Sequence, residues 1–588
     1  MKPRNPFEYI GANDLPGETI LDYYIEDFNF SRFIQSTRNV LLVGERGCGK
    51  SMTLLYNSFS VQRLRAHRDG QDLSLDTCGI YVPCNTPLTH KREFQLLDEF
   101  RGSVISEHHF VLAIAFGIAK TLSEVPELLS AAEVQRLRDQ LEFLFDSKLP
   151  PSASPFESLM QLIERESIRA QRAANARTST DVFYENTFSF PSLIVPLLRL
   201  VRSTTRLSET HFVFLVDDAQ DLNSHQRRAL FSWIAFRDHS LFSFKVAVAN
   251  ISRSSLTTAS GGSILEGHDY TRIDMVQPFH NEEADFGHLA KLLITRRLEK
   301  FGIMATPDAF FPVSSQMIEQ LHRSEEAVRC DAVAKYGNDS SKVSDYIYKY
   351  KRAHLFRNRP ATSNRPEYSG FDTLVYLSTG VIRNLLMPCY WMYDKVLSLS
   401  AVGNEAASGV ASSTKTVPAN EISPSIQSEI ILARSRALWD WVRNELDKSL
   451  EGCSRDNARR AYQLLDNLAV LFRERLLKHK SEPRANSFTI SQQSESVMTN
   501  LSQVLNTLVA AQLIYVRSGA AKDKGKRENY YVPNRMLWPD RGLDPHGQHA
   551  RVSIRAPDLW AAAEHNKLIP FRDEDDSNSQ QLRLFDEN

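Results

Sequence analysis

Apolar residues fall into short runs, the last two interrupted by polar residues, separated by stretches of helical spacing. The runs are Val40 to Val43, Gly79 to Val82, Phe212 to Val216, Phe244 to Asn250 and Thr271 to Val276. Runs this short, bounded by Gly, Asn, Asp or Pro, read as strands covered on both faces, as in a parallel sheet. Between the second and third runs the spacing predicts helices over Val104 to Leu122, Ala131 to Phe145, Phe156 to Ala176 and Phe190 to Val201. Charge through Glu164-Arg165-Glu166 leaves one face of the third helix solvated. Glu282 to Lys300 opens a further helical region that extends to about residue 400. Residues 401–425 are rich in Ala, Ser and Gly and predict a flexible linker. Beyond it come an apolar-faced helix (Asp466 to Leu477), a strand at Phe488 to Ile490, and a helix with Val497, Leu501, Val504, Leu505 and Leu508 on one face. A hairpin of Leu513 to Arg517 with Asn529 to Pro533 completes a winged-helix pattern. Residues 573–588 are polar and acidic, a composition that predicts disorder.

The first run leads into the chain's most informative stretch, Gly44-Glu45-Arg46-Gly47-Cys48-Gly49-Lys50-Ser51-Met52. It matches G-x-x-x-x-G-K-[ST] between a strand and a helix, the P-loop pattern. Glycines at 44, 47 and 49 allow tight turns and positive φ, so that successive N–H groups face inward as a nest for anionic oxygens. The helix opening at Ser51 and Met52 aims its free N–H groups at the same place. Lys50 adds a charge able to reach β- and γ-phosphates, and the Ser51 hydroxyl suits Mg²⁺. The third run delivers Asp217 and Asp218 at a strand's carboxyl end, where α/β sheets bind ligands. In this Walker B form, Asp217 orients Mg²⁺ and Asp218 polarises the attacking water. Asn250 ends the neighbouring strand and is the sensor candidate, against a plain turn-capping role. Gly380 followed by Arg383 at the start of an apolar helix suits a guanidinium placed over the nucleotide from a lid. Tyr9 and Ile10, ahead of the first strand, are candidates to lie beside the base or simply to pack in the core.

Composition narrows the reading. The chain has 588 residues, a net charge of −1, and ordinary apolar (42%) and charged (24%) content. Two to four soluble domains are expected, and nucleic-acid contact requires a local basic patch. Two stretches offer one: Tyr346 to Arg359, basic and aromatic, and 517–529, the wing, with Lys522, Lys524, Lys526 and Arg527 at its tip. The outward positions Asn500, Gln503, Asn506 and Thr507 of the recognition helix carry no cation. Six scattered cysteines without a C-x-x-C pair argue against a disulfide framework or zinc and for a reducing compartment. No signal peptide or membrane span is indicated, so a cytoplasmic protein without membrane contact is expected.

Taken in order, the glycine loop, the strand ending in Asp217-Asp218, the strand ending in Asn250, Gly380-x-x-Arg383 and the C-terminal winged helix resemble the AAA+ ATPases of the origin-recognition-complex and initiator type, in their prokaryotic accessory branch. The resemblance implies an α/β fold. Residues 1–280 form an αβα P-loop core with a helical insertion at 95–207, and 281–400 form a helical lid. The linker (401–425), a mostly α winged-helix domain (426–572) and the acidic tail (573–588) follow. It also implies ATP with Mg²⁺ as cofactors, and homo-oligomeric or hetero-complex assembly through the ATPase domain with an arginine finger. Arg237, Arg253 and Arg272 are equally placed for that finger. The second Walker B acid is more often Glu in such ATPases, and the interval from Lys50 to Asp217 is longer than a minimal core needs. Two functions compete: an ATP-driven switch or motor acting on or loading onto DNA, and a regulatory ATPase controlling a protein effector, for example in antiviral defence.

Overall fold

The computed structural model describes residues 5–26, 30–87, 89–176, 186–236, 240–249, 256–275, 283–358, 366–407, 419–478, 485–520, 527–547 and 550–571. The chain forms two compact units, residues 11–278 and residues 1–10 with 279–588.

The first unit is built on five strands: β1 (Val40–Val43), β2 (Thr77–Pro83), β3 (His211–Asp217), β4 (Phe242–Val248) and β5 (Thr271–Asp274). They run parallel in the order β2-β3-β4-β1-β5. Every residue of β1, β3 and β4 is buried; β1 and most of β3 accordingly read as continuous apolar segments, while β4 also buries Ser243 and Lys245. Asn39 fixes where β1 begins. Its amide donates to the carbonyls of Ile234 and Asp269 (both 3.1 Å) and its side-chain oxygen accepts from the N–H of Phe244 (2.9 Å).

One face of the sheet packs against the long helix Glu99–Ser123 and the helices Ala131–Phe145, Pro155–Asn175 and Val195–Arg202. A one-turn π-helical segment, Phe190–Ile194, precedes the last of these. Its Phe190 lies 4.7 Å from the Trp233 ring and 5.2 Å from Phe242. The 95–207 stretch, expected as an insertion, therefore shares a single hydrophobic core with the strands. Glu99–Ser123 is the one helix among the described residues long and apolar enough to cross a membrane, but 78% of that stretch is buried inside the fold. The other face of the sheet is covered by Ile34, Leu54 and the rings of Phe30 and Phe33.

The second unit contains the helix Glu283–Lys300, a hairpin of two long helices (Ser315–Tyr336 and Ser340–Arg357), the short helix Phe371–Leu377 and the helix Ile382–Ala407. It also contains Pro424–Asn444, Arg455–Leu477, Glu495–Ala510 and Ala556–His565, with strands β6 (Ala485–Ser491), β7 (Ile514–Ala520), β8 (Arg527–Pro533) and β9 (Ala550–Arg555). Phe7 from the N-terminus is fully buried here, against Phe310, Phe311 and Tyr393. The small sheet has the order β7-β8-β6-β9, with β9 added parallel to β6 beyond the expected hairpin.

Three expectations change in this unit. Residues 401–407 continue a helix instead of entering a linker. Ile422, also within the expected linker, is fully buried and donates its N–H to Phe310 (2.8 Å). Residues 408–418 and the tail at 573–588 lie outside the described residues. Thr507, expected outward on the recognition helix, is buried, with its hydroxyl bonded to Asn457 and to the Gln503 carbonyl.

Lys245 is fully buried in the middle of β4, and its ammonium donates to the carbonyls of Ser36 (2.6 Å) and Arg38. Burial lowers its pKa to about 7. The unfolded chain keeps that proton up to about pH 10.4. The resulting stability is thus fully present above that value and is lost as pH falls through about 7. Between pH 7 and 9, wild-type unfolding free energy should rise relative to Lys245→Met by up to about 1.4 kcal/mol per pH unit. Chemical denaturation at stepped pH measures this, and a pH-independent difference would contradict it.

Candidate functional site

The site is assembled at the carboxyl ends of β1, β3 and β4, with β4 lying between the other two. The loop after β1 starts with Gly44, whose N–H bonds to Val248 (3.3 Å) and continues the strand geometry. Among the loop glycines only Gly47 (φ 89°) and Gly49 (φ 106°) are left-handed. These are conformations that a Cβ strongly disfavours, so the glycine requirement falls on them and not on Gly44. Gly49 leads into the helix Lys50–Tyr56. Lys50 is buried and its ammonium donates to the carbonyls of Gly44 (2.8 Å) and Glu45 (2.9 Å). The lysine thereby ties its own loop into a closed ring. Glu45 and Cys48 are buried within that loop, while Arg46 reaches outward to Asp221 (3.1 Å). An exposed pair of this kind contributes at most about 1 kcal/mol, but it spans from the loop to the turn after β3.

Asp217, the last residue of β3, is 1% exposed. Its carboxylate, near enough to the Ser51 hydroxyl for that group to favour its charge, accepts from the Tyr81 phenol (2.8 Å) and from the N–H of Asp218 (3.0 Å). Burial, and then the charge of Asp218, raise its pKa above the ordinary carboxylate value. Burial and the Asp217 charge push the Tyr81 phenol far upward, so it stays a donor. Asp218 has a left-handed backbone (φ 54°). Its two oxygens accept from Gln220 Nε2 (2.9 Å) and Asn85 Nδ2 (3.2 Å). Gln220 in turn accepts from the N–H of Ala249 at the end of β4 (3.0 Å). The fold thus brings Gly44 to Met52, Asp217 and Asp218 into one unit. Asn250, Arg237 and Arg253 lie outside the described residues, and Arg272 sits on the edge strand β5.

Ser51 and Asp217 are hard oxygen donors set near one another. They suit a cation such as Mg²⁺, which takes one or two protein ligands and completes its shell with phosphate oxygens and water. No cluster of three His, Cys, Asp or Glu side chains exists among the described residues, so no all-protein metal cage competes with this arrangement.

Tyr81, Asn85 and Gln220 carry the support of the two acids and were missed in the sequence. All three stand in stretches the pattern had marked, but nothing local says that a mid-strand Tyr points to the next strand's acid. The β2–β3 register, which sets Pro83 opposite Asp217, is what does this.

In the second unit Arg383 lies in the first turn of Ile382–Ala407, after the left-handed pair Thr379 (φ 56°) and Gly380 (φ 78°). Several described residues of the two basic stretches expected to offer nucleic-acid contacts are occupied internally. Arg352 forms a bidentate pair with the buried Asp544 (2.8 Å). Arg357 donates to the carbonyls of Leu476 (2.9 Å) and Lys478. Tyr346 stacks on Tyr350 (4.3 Å), and Arg517 is only 5% exposed. Arg359 and the wing-tip lysines lie outside the described residues.

A family model described as ORC-CDC6-like matches residues 5–554. No curated protein is similar enough in sequence to match the chain. Similar solved structures include Cdc6p from Pyrobaculum aerophilum, 11% identical over 95% of this chain and 97% of that one, with a TM-score of 0.28. They also include the Aeropyrum pernix ORC2 protein in ADPNP–ADP complexes, 11% identical over 96% and 98%, with a TM-score of 0.26.

Because the folded-state pKa of Asp217 is raised, its stabilising contribution is present below the unfolded value near 3.9 and lost as pH rises through the folded one. At neutral pH its buried charge is a net cost. Nucleotide-free Asp217→Asn should therefore melt no lower than wild type at pH 7.5, by scanning calorimetry. A drop of several degrees would show that the carboxylate stabilises the fold.

Proposed function

The chain belongs to the ORC-CDC6-like family, and on that premise we propose that it is an ATP-binding and ATP-hydrolysing AAA+ switch of the initiator type that acts on or loads onto DNA. The observation that carries the nucleotide reading is the P-loop itself, whose two left-handed glycines turn the backbone around the buried Lys50, with Ser51 set near the buried Asp217.

In this reading the N–H groups of the loop from Gly44 to Gly49 and of the helix start at Ser51 and Met52 hold the phosphates. Lys50 exchanges its loop carbonyls for phosphate oxygens, so the loop opens as nucleotide enters. Ser51 and Asp217 would hold Mg²⁺, which would supply charge neutralisation at the phosphates. Asp218, fixed by Asn85 and Gln220, would orient the attacking water, with Asn250 as the sensor candidate. Arg383 reaches the phosphates from the lid. Positioning and charge account for most of such a reaction, because little covalent work falls to the protein. Assembly is through the ATPase unit, with a neighbour's arginine completing the site.

A second reading keeps the ATPase and replaces DNA by a protein effector, as in antiviral defence. One set of observations favours it: Arg352, Arg357 and Arg517 are bonded inside the fold, and the net charge is −1. That leaves Lys522, Lys524 and Lys526, with Arg527, as the basic group for a DNA backbone.

ATP turnover by the purified chain, with and without duplex DNA over a salt series, tests both. Lys50→Ala should lower turnover by about 100-fold or more, as loss of a phosphate-holding charge does. Turnover that rises several-fold with DNA, with a DNA affinity falling steeply as salt rises, supports the DNA-acting switch. Turnover indifferent to DNA at low salt rejects it in favour of the effector reading. Wild-type turnover equal to that of Lys50→Ala rejects hydrolysis.

A further inference from the structure

The turn that presents Arg383 is held by the winged helix as well as by the lid. Thr379 is a β-branched residue held at φ 56°, where such side chains rarely sit. It is buried, and its hydroxyl accepts the backbone N–H of Arg535, just beyond β8 (3.0 Å). Asn384, one residue after Arg383, donates from its amide to the carbonyl of Ser378 (3.2 Å) and to the phenol oxygen of Tyr515 on β7 (2.9 Å). Asn534 donates to that same phenol oxygen (3.4 Å). Around these bonds Val381, Tyr515 and Val532 form a small apolar cluster, with Tyr530 packed against it. Tyr515 is 1% exposed. Tyr515 and Val532 pair directly across β7 and β8, the two strands of the wing hairpin. The residues on both sides of Arg383 are therefore fixed to the base of the wing, through one hydroxyl, one phenol and one backbone amide.

We propose that Tyr515 of the winged helix is a positioning residue for Arg383, so that the base of the wing sets the angle at which the lid arginine meets the nucleotide. The proposal rests on the reading that Arg383 contacts ATP. It assigns a role to residues that carry no phosphate-binding chemistry of their own and that lie more than 130 positions from Arg383 in the sequence. It also makes the wing hairpin part of the nucleotide switch: a ligand that tilts the hairpin moves Tyr515 and Val532 together, and with them the Thr379–Gly380 turn.

Tyr515→Phe keeps the ring in its cluster and removes the oxygen that both amides use. The test measures the dissociation constant of a fluorescent ATP analogue with Mg²⁺ for full-length wild type, Tyr515→Phe, Arg383→Ala and the double variant, with the nucleotide-free melting temperature of each as the control for folding. Tyr515→Phe should weaken binding by about three- to ten-fold, the equivalent of one lost neutral hydrogen bond. In the Arg383→Ala background it should add less than about two-fold, because residues acting through one group are non-additive. Asn384→Ser, which removes the same bond from the lid side, should reproduce the Tyr515→Phe result. If Arg383→Ala binds as wild type, the reading of Arg383 falls and the proposal falls with it. If Arg383→Ala is weakened but Tyr515→Phe is not, the proposal alone is overturned. An equal loss from Tyr515→Phe in both backgrounds would also overturn it, by showing a general packing role.

Discussion

The approach of the Ser51 hydroxyl to the buried Asp217 carboxylate, close enough to favour its charge, is the constraint on which the rest of the site depends. It joins the helix that follows β1 to the last residue of β3, across the intervening strand β4. For these groups to approach, the three strands must be parallel and must end at one level. The pairings Val43 with Val248 and Val216 with Val246 deliver that level. Around them, Tyr81 from β2 and the amides of Asn85 and Gln220 hold the two acids, so every strand on that side of the sheet supplies a support. A carboxylate buried to this degree would ordinarily be paired with a cation. Here its hydrogen-bond donors are the Tyr81 phenol and the N–H of Asp218.

The same economy of charge runs through the second unit. Arginines that a composition argument assigns to nucleic acid lie inside: Arg352 on Asp544, Arg357 on the carbonyls at the end of Arg455–Leu477, Arg517 beneath the wing. Arg352 and Arg357 join the helical hairpin to the rest of this unit, and the bonds from the wing base to the Thr379–Gly380 turn tie the start of Ile382–Ala407 to the small sheet.

Much of this was legible in the sequence where a single physical rule dominates. Strands covered on both faces are mostly apolar, so β1 and β3 stand out as runs, and β4 does so despite its buried Ser243 and Lys245. A loop that wraps a lysine needs glycine where φ is positive, so Gly47 and Gly49 are found at once. The winged-helix hairpin followed from alternation. What escaped depends on tertiary register. Tyr81 reaches Asp217 only because β2 lies beside β3, and Tyr515 reaches Asn384 only because the wing folds back on the lid turn. Strand β9, with Val552 and Ile554 inward and Ser553 outward, carries a strand pattern that was passed over because the winged helix was already complete without it. The interval length that marks the 95–207 helices as an insertion says nothing of whether they share the sheet's core, as they do. The Ala-rich start of the expected linker, 401–407, is helical because such sequence suits a helix as well as a mobile chain.

The measurement that tests the central claim most directly is calorimetric titration of the purified chain with ATP, with Mg²⁺ and then with excess EDTA. The account predicts one nucleotide per chain in both conditions, with binding at least about ten-fold tighter when Mg²⁺ is present, the effect of pairing the buried Asp217 charge with a divalent ion. Absence of binding, or identical affinity with and without Mg²⁺, would contradict it.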